Sequence, residues 1–298
     1  MNGAGGQIHA CSKKWPGCAS TCAIPTSAPG SGCAAPEHAR RLRPASQQCR
    51  VSKLSRLLRR WLLHYVQRWL PRRDLADDPY AMWLQFAIAN MTDRGNYPLM
   101  DRAIAAMPAA PVVEIGCWAG MTSCLLARYQ RKHGRREPIF AVDPWIFERR
   151  PYFDRIEHIP VSGLQYQEFI AESYRRNLEF FCADQLPHTF RMTSDEFFLA
   201  WEQQQRLTDL FGREVQLGGP LGYAYIDGDH SLPQAERDYG NCDRWLLPGG
   251  FLFFDDSADD SVWEVARLMP RVQAEGGYEL VAKNPHYLWR KRGWKSHA

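Results

Sequence analysis

Several signals are absent from this 298-residue chain, and each absence removes a class of protein. No basic start is followed by an apolar h-region, so nothing reads as a secretory signal. The glycine turn Gly-x-Gly-x-x-Gly, which cradles dinucleotide pyrophosphates, does not occur. No Cys-x-x-Cys pair occurs among the nine cysteines, which makes a zinc ribbon a poor reading. Acids are nearly missing from residues 1–73, where thirteen Lys/Arg face Glu37 alone. That surplus of 12 leaves about −8 for residues 74–298 out of a chain total of +4. The larger part of the chain is therefore acidic, which disfavours nucleic acid as its substrate.

Composition divides the chain. Residues 1–50 are rich in Gly, Ala, Ser, Pro and Cys without periodicity, and are expected to be disordered. Val51 is a candidate alternative start of translation. Leu54, Leu57, Leu58, Trp61, Leu62, Tyr65, Val66, Trp69 and Leu70 recur with helical spacing, which predicts an amphipathic helix within 51–73. Four arginines and a lysine inside it exclude a membrane span. Packing on the following domain or on a second subunit is favoured about two to one. The alternative is peripheral contact with the inner face of an anionic membrane. Cys117, Cys124, Cys182 and Cys242 are isolated core fillers, and a reduced, cytoplasmic setting is expected.

Residues 74–298 carry a repeated pattern. Pro111-Val112-Val113-Glu114-Ile115-Gly116-Cys117-Trp118-Ala119-Gly120 reads as a buried strand that ends in an acid and breaks into a glycine turn before a helix. Glycine permits close backbone approach to a ligand, and the helix turns free N–H groups toward an anion. Ile139–Val142 leads to Asp143, Tyr223–Ile226 to Asp227-Gly228-Asp229-His230, and Phe251–Phe254 to Asp255-Asp256. Strands near 111–115, 138–142, 188–192, 222–226 and 251–255 alternate with helices near 121–132, 166–181, 195–205, 233–245 and 261–274. Two helices, Pro79–Asn90 and Tyr97–Ala106, precede them, and a hairpin, Tyr278–Lys283 with His286–Arg290, closes the chain. An α/β, doubly wound sheet with helices on both faces follows. Residues 144–165 and 206–221 are longer than such a fold needs.

Glu-x-Gly-x-x-x-Gly resembles motif I of class I S-adenosylmethionine (SAM) methyltransferases. Ile-Asp-Gly-Asp-His, Leu-Leu-Pro-Gly-Gly-Phe and Phe-Asp-Asp resemble the small-molecule and sugar O-methyltransferases of that class, the macrolide-sugar enzymes in particular. The resemblance covers roughly residues 80–292. It implies a Rossmann-like sheet of seven strands with the last one antiparallel, SAM as cofactor, and methylation of a hydroxyl on a sugar or other small metabolite. Glu114, Gly116 and Gly120 would surround the methionine half, with Thr122 or Ser123 at the helix start. Asp143 would accept the ribose hydroxyls. Ser194 or Asp195 would serve the adenine, although the family's acid-serine pair is here Thr193-Ser194. Trp118 is either a ligand contact or structural.

Methyl transfer to an alcohol needs alignment and removal of a proton, or polarisation of the oxygen by a cation. Asp227, Asp255 and Asp256 offer hard oxygens for Mg²⁺ or another divalent ion, and in the resembled enzymes acids at these positions bind the metal. His230 matches their catalytic base, assisted by Asp227, while Asp229 supports His230 or replaces Asp227. Three other readings compete. An NAD oxidoreductase lacks its glycine turn. The same carboxylates and histidine holding iron would make a metal-dependent hydroxylase. A non-catalytic SAM-binding protein would not need the intact set Asp227, His230, Asp255 and Asp256. A nucleic-acid enzyme is also disfavoured by the missing Asn/Asp-Pro-Pro-Tyr motif. A homo-oligomer is compatible with the sequence.

Overall fold

The structure is a computed structural model, and it describes residues 78–146 and 162–293. The expected disordered segment 1–50, the helix within 51–73 and most of the 144–165 loop lie outside the described residues.

Helix α1 (Pro79–Ala87) starts at Asp78, whose carboxylate accepts from the Tyr80 and Ala81 N–H groups, with proline at the first helical position. Helix α2 (Asn96–Ala106) leads to β1 (Val112–Ile115). Then follow α3 (Met121–Lys132), β2 (Ile139–Val142), α4 (Gly163–Phe181) and β3 (His188–Phe190). Helices α4 and α5 (Ser194–Glu202) each begin with a capping box, Ser162 with Gln165 and Thr193 with Glu196. A short antiparallel pair, β4 (Arg206–Thr208) and β5 (Glu214–Gln216), fills the 206–221 insertion. The remainder is β6 (Leu221–Ile226), α6 (Leu232–Trp245), β7 (Leu246–Phe254), a 3₁₀ turn (Glu264–Leu268), α7 (Met269–Ala274), β8 (Tyr278–Lys283) and β9 (Tyr287–Lys291).

The main sheet has the order β3-β2-β1-β6-β7-β9-β8. Its first five strands are parallel, and β9, last in the chain, runs antiparallel to both β7 and β8. All residues of β1, β2 and β6 are buried, as central parallel strands covered on both faces require. Alternation sends Tyr223 and Tyr225 of β6 to one core, shared with α1 to α4, and Ala224 and Ile226 to the other, shared with α5 to α7.

Three elements differ from the sequence expectation. Strand β7 begins five residues earlier, because Gly249 takes φ +83° and Gly250 packs against the Gly222 carbonyl, so Pro-Gly-Gly continues the strand as a bulged segment. The predicted helix 261–274 is a 3₁₀ turn joined to a short α-helix. The 206–221 insertion is a hairpin tied down by Asp209. That buried carboxylate accepts from the Phe211 and Arg213 N–H groups and the Arg213 guanidinium, and pairs with His188.

Strand order reverses between β1 and β6, and crevices at such points hold ligands in open α/β sheets. Ladder hydrogen bonds continue one residue past each strand here. The N–H groups of Gly116, Asp143, Asp227 and Asp255 donate to Val142, Phe190, Ile115 and Ile226 respectively. Four separate chain segments thus deliver their terminal residues to one edge. Among the described residues, no helix is long and apolar enough to cross a membrane.

Candidate active site

The turn after β1 is held by its neighbours rather than by itself. Gly116 has φ +77°, and a Cβ there would stand 1.9 Å from the Asp227 carbonyl oxygen. Gly120 has φ +91°, and its Cβ would meet Leu178 of α4 at 2.5 Å. Both glycines are required by the packing of the protein on itself, a reason distinct from the ligand approach expected of them.

Asp143 closes the turn from the next strand. Its Oδ2 accepts from the Cys117 and Trp118 N–H groups, both at 2.9 Å, and its Oδ1 from the Trp145 N–H at 2.7 Å. The Trp145 indole donates to the Trp118 carbonyl at 2.9 Å. Trp118 and Trp145 have φ +38° and +51°, left-handed conformations costly for bulky residues. The acid expected to read a ribose therefore also fastens the glycine turn to β2. Nothing in the sequence pattern signals the indole bond.

Glu114 lies beneath this turn, fully buried. Its Oε2 accepts from Ser123 at 2.5 Å, and Ser123 lies 3.3 Å from the Tyr174 hydroxyl, while Glu114 Oε1 has no hydrogen-bond partner. Burial, with a smaller contribution from the Asp143 charge, pushes the Glu114 carboxyl up to about 8. A carboxyl that folds protonated but unfolds ionised makes stability fall as pH rises from the unfolded value near 4.5 through about 8. Glu114→Gln removes that dependence. In thermal and urea unfolding without cofactor, the variant is expected to match the wild type near pH 4.5 and to exceed it by roughly 2–4 kcal/mol at pH 8. Equal stabilities across that range would show that Glu114 ionises freely.

The first turn of α3 carries Thr122, whose hydroxyl lies 3.3 Å from that of Thr92 in the α1–α2 connection. Thr92 gave no signal in the sequence. On the adenine side, Ser194 donates to Asp238 of α6 at 2.6 Å and accepts from Gln234, and Asp195 pairs with Arg237. Both residues face α6. Burial drives the Asp238 carboxyl up to about 6, against the pull of Ser194 and Gln234.

At the β6 and β7 ends, Asp227, His230 and Asp256 each bring a ligand atom within 4.8 Å of the others. His230 Nδ1 is 3.1 Å from Asp256 Oδ2, and its ring lies 4.6 Å from that of Trp263. Asp256 is left-handed, with φ +54°. Asp255 is turned inward and buried. It accepts from Asn96 Nδ2 (2.9 Å), the Tyr225 hydroxyl (2.5 Å) and the Asp256 N–H (2.9 Å), and forms an ion pair with His286 Nδ1. Burial raises the Asp255 carboxyl, but His286, Tyr225 and the Asp256 N–H outweigh it and hold the group below its ordinary value. Burial lowers the His286 imidazole, and the Asp255 carboxylate more than offsets this and raises it above its ordinary value. The expected acid triad is thus split: Asp227 and Asp256 converge with His230, whereas Asp255 is committed to other partners.

The strand order with an antiparallel last strand, a glycine turn at the reversal point and acids ending β2, β6 and β7 are the fold features expected of a class I SAM-dependent methyltransferase. Residues 113–257 match the family model described as a methyltransferase domain, so this part of the chain is a methyltransferase domain. No curated protein matches the sequence. Similar solved structures include the O-methyltransferase NovP (16% identity, 69% of this chain and 84% of that chain, TM-score 0.44). The O-methyltransferase from Bacillus cereus in complex with SAH is 13% identical over 78% of this chain and 97% of that one, with a TM-score of 0.45. The O-methyltransferase TomG from Streptomyces achromogenes, in complex with SAM, is 14% identical over 79% and 98%, with a TM-score of 0.42.

Proposed function

We propose that this enzyme transfers the SAM methyl group to a hydroxyl of a sugar or other small metabolite, with a divalent cation held beside the acceptor. The observation that carries the reading is the convergence of Asp227, Asp256 and His230 next to the glycine turn. Hard carboxylate oxygens suit Mg²⁺ or Mn²⁺, and Asp227 and Asp256 would be the charged ligands. When bound, such an ion lowers the pKa of an acceptor hydroxyl. His230 takes the hydroxyl proton, and Asp256, at its Nδ1, holds the ring in orientation. Asp143 and the turn it fastens would hold the ribose and methionine portions of SAM, and alignment of the methyl with the acceptor is what such a held cofactor would supply. The negative charge of residues 74–298 favours a neutral small acceptor over nucleic acid.

The test is calorimetric titration of the full chain with S-adenosylhomocysteine, with and without Mg²⁺ and after chelator treatment. Micromolar binding with a cation-dependent heat is the expected result. Binding indifferent to cation and chelator would leave a His230–Asp256 pair acting alone, and no binding by folded protein would refute the cofactor site.

A further inference from the structure

Asp255 behaves as part of the protein's interior rather than as a ligand in waiting. Its carboxylate has four partners drawn from three distant places: Asn96 in the first turn of α2, Tyr225 in β6, His286 beside β9, and the N–H of Asp256. Both side-chain oxygens are occupied, and only 6% of the residue is exposed. The next residue, Asp256, has φ +54°, a conformation uncommon for a non-glycine residue outside a tight turn. Its N–H is bonded back to Asp255 Oδ1, and its own carboxylate emerges toward His230 and Asp227. Fixing the inward acid in this way fixes the direction of the outward one.

We infer that Asp255 is a positioning residue, which Asn96, Tyr225 and His286 anchor so that Asp256 is aimed at Asp227 and His230, and that Asp255 does not itself hold the cation. The inference rests on the cation reading given above and departs from the three-acid ligand set. Asp255, Asp256 and His286 also bring ligand atoms within 4.8 Å of one another, but Asp255 and His286 already face each other in a buried contact. Three of the four contacts of Asp255 crowd Oδ1 and the Tyr225 hydroxyl holds Oδ2, which leaves the carboxylate little room for a cation.

Removing a donor weakens cation binding in either arrangement, because a hydrogen-bonded carboxylate is also the better ligand. The arrangements differ in their dependence on Asp256. If Asp255 ligates the cation, loss of a donor still weakens binding when Asp256 is replaced by Asn; if Asp255 only positions Asp256, the loss then has no further effect. Mn²⁺ affinity of the full chain is measured by calorimetry with S-adenosylhomocysteine present, for the wild type, Asn96→Ala and Tyr225→Phe, each also combined with Asp256→Asn. Loss of one buried, charge-assisted hydrogen bond corresponds to about tenfold weaker Mn²⁺ binding or somewhat more. S-adenosylhomocysteine affinity is expected to stay at the wild-type value in both variants, which separates misdirection of Asp256 from general damage. Tyr225→Phe keeps the ring stacked on Phe253 and is the milder change. No change in both variants, or a loss that persists undiminished in the Asp256→Asn background, overturns the inference while the cation reading stands. A wild-type chain without Mn²⁺ heat overturns the cation reading and the inference together.

Discussion

Gly116→Ala is expected to abolish S-adenosylhomocysteine binding and to lower the stability of the fold. The new Cβ would lie 1.9 Å from the Asp227 carbonyl oxygen and 2.6 Å from its carbon, and no flexible side chain can yield there. Both atoms belong to backbone that continues the β1–β6 ladder, since the Asp227 N–H donates to Ile115. The φ of +77° adds a conformational cost of about 1–2 kcal/mol for any residue with a side chain. Overpacking adds a further 1–3 kcal/mol or so. Relief requires β1 and β6 to separate at their carboxyl ends, which moves the turn and Asp227 apart together. Thermal unfolding and S-adenosylhomocysteine calorimetry should both register the change. A variant with the wild-type melting temperature and affinity would show that the turn tolerates a side chain. Gly134, also at positive φ but with nothing within 4 Å, is the control: Gly134→Ala carries the conformational strain without the clash and should leave cofactor affinity alone.

His230→Ala is expected to reduce methyl transfer by roughly 10²–10⁴-fold, the range for loss of a positioned acid or base. S-adenosylhomocysteine affinity should remain, because the imidazole belongs to the β6 and β7 ends and to Trp263 rather than to the glycine turn. Asp256→Asn tests the same step from the other side, since it keeps the shape and removes the charge facing Nδ1. The rates are read with an acceptor that supports turnover of the wild type, found by screening hydroxylated small molecules. Full activity in both variants would remove the proposed base and its orienting carboxylate from the mechanism. A loss in Asp256→Asn far greater than in His230→Ala would assign the acid a larger part than orientation, as a cation ligand has.

Much of the architecture was legible because it rests on local rules. Each parallel strand is an apolar run closed by an acid, and β1, β2 and β6 fall within one residue of where those runs place them. Helix α3 spans 121–132 and β8 spans 278–283, as the periodicity requires. Strand β7 extends further because two glycines allow a bulge against β6, a tertiary contact that no propensity encodes. The hairpin inside 206–221 escaped for a similar reason. Its strands are three residues each, too short for an alternation signal, and Asp209 secures their turn through His188 as well as neighbouring N–H groups.

By itself, the sequence determined the class of sheet, the cofactor turn and the acids that end the strands, because strand period and glycine spacing are properties of contiguous residues. It also showed the acidic balance of residues 74–298, on which the expectation of a small acceptor rests. Only the tertiary structure decided how the acids divide their work. Asp255 and Asp256 are neighbours with identical side chains, yet one accepts from Asn96 and Tyr225, 159 and 30 residues away in the chain, and the other faces His230. The pleat and the left-handed turn at Asp256 send the two carboxylates in different directions. What each then meets depends on α2 and the β8–β9 hairpin, which fold into place from the two ends of the domain.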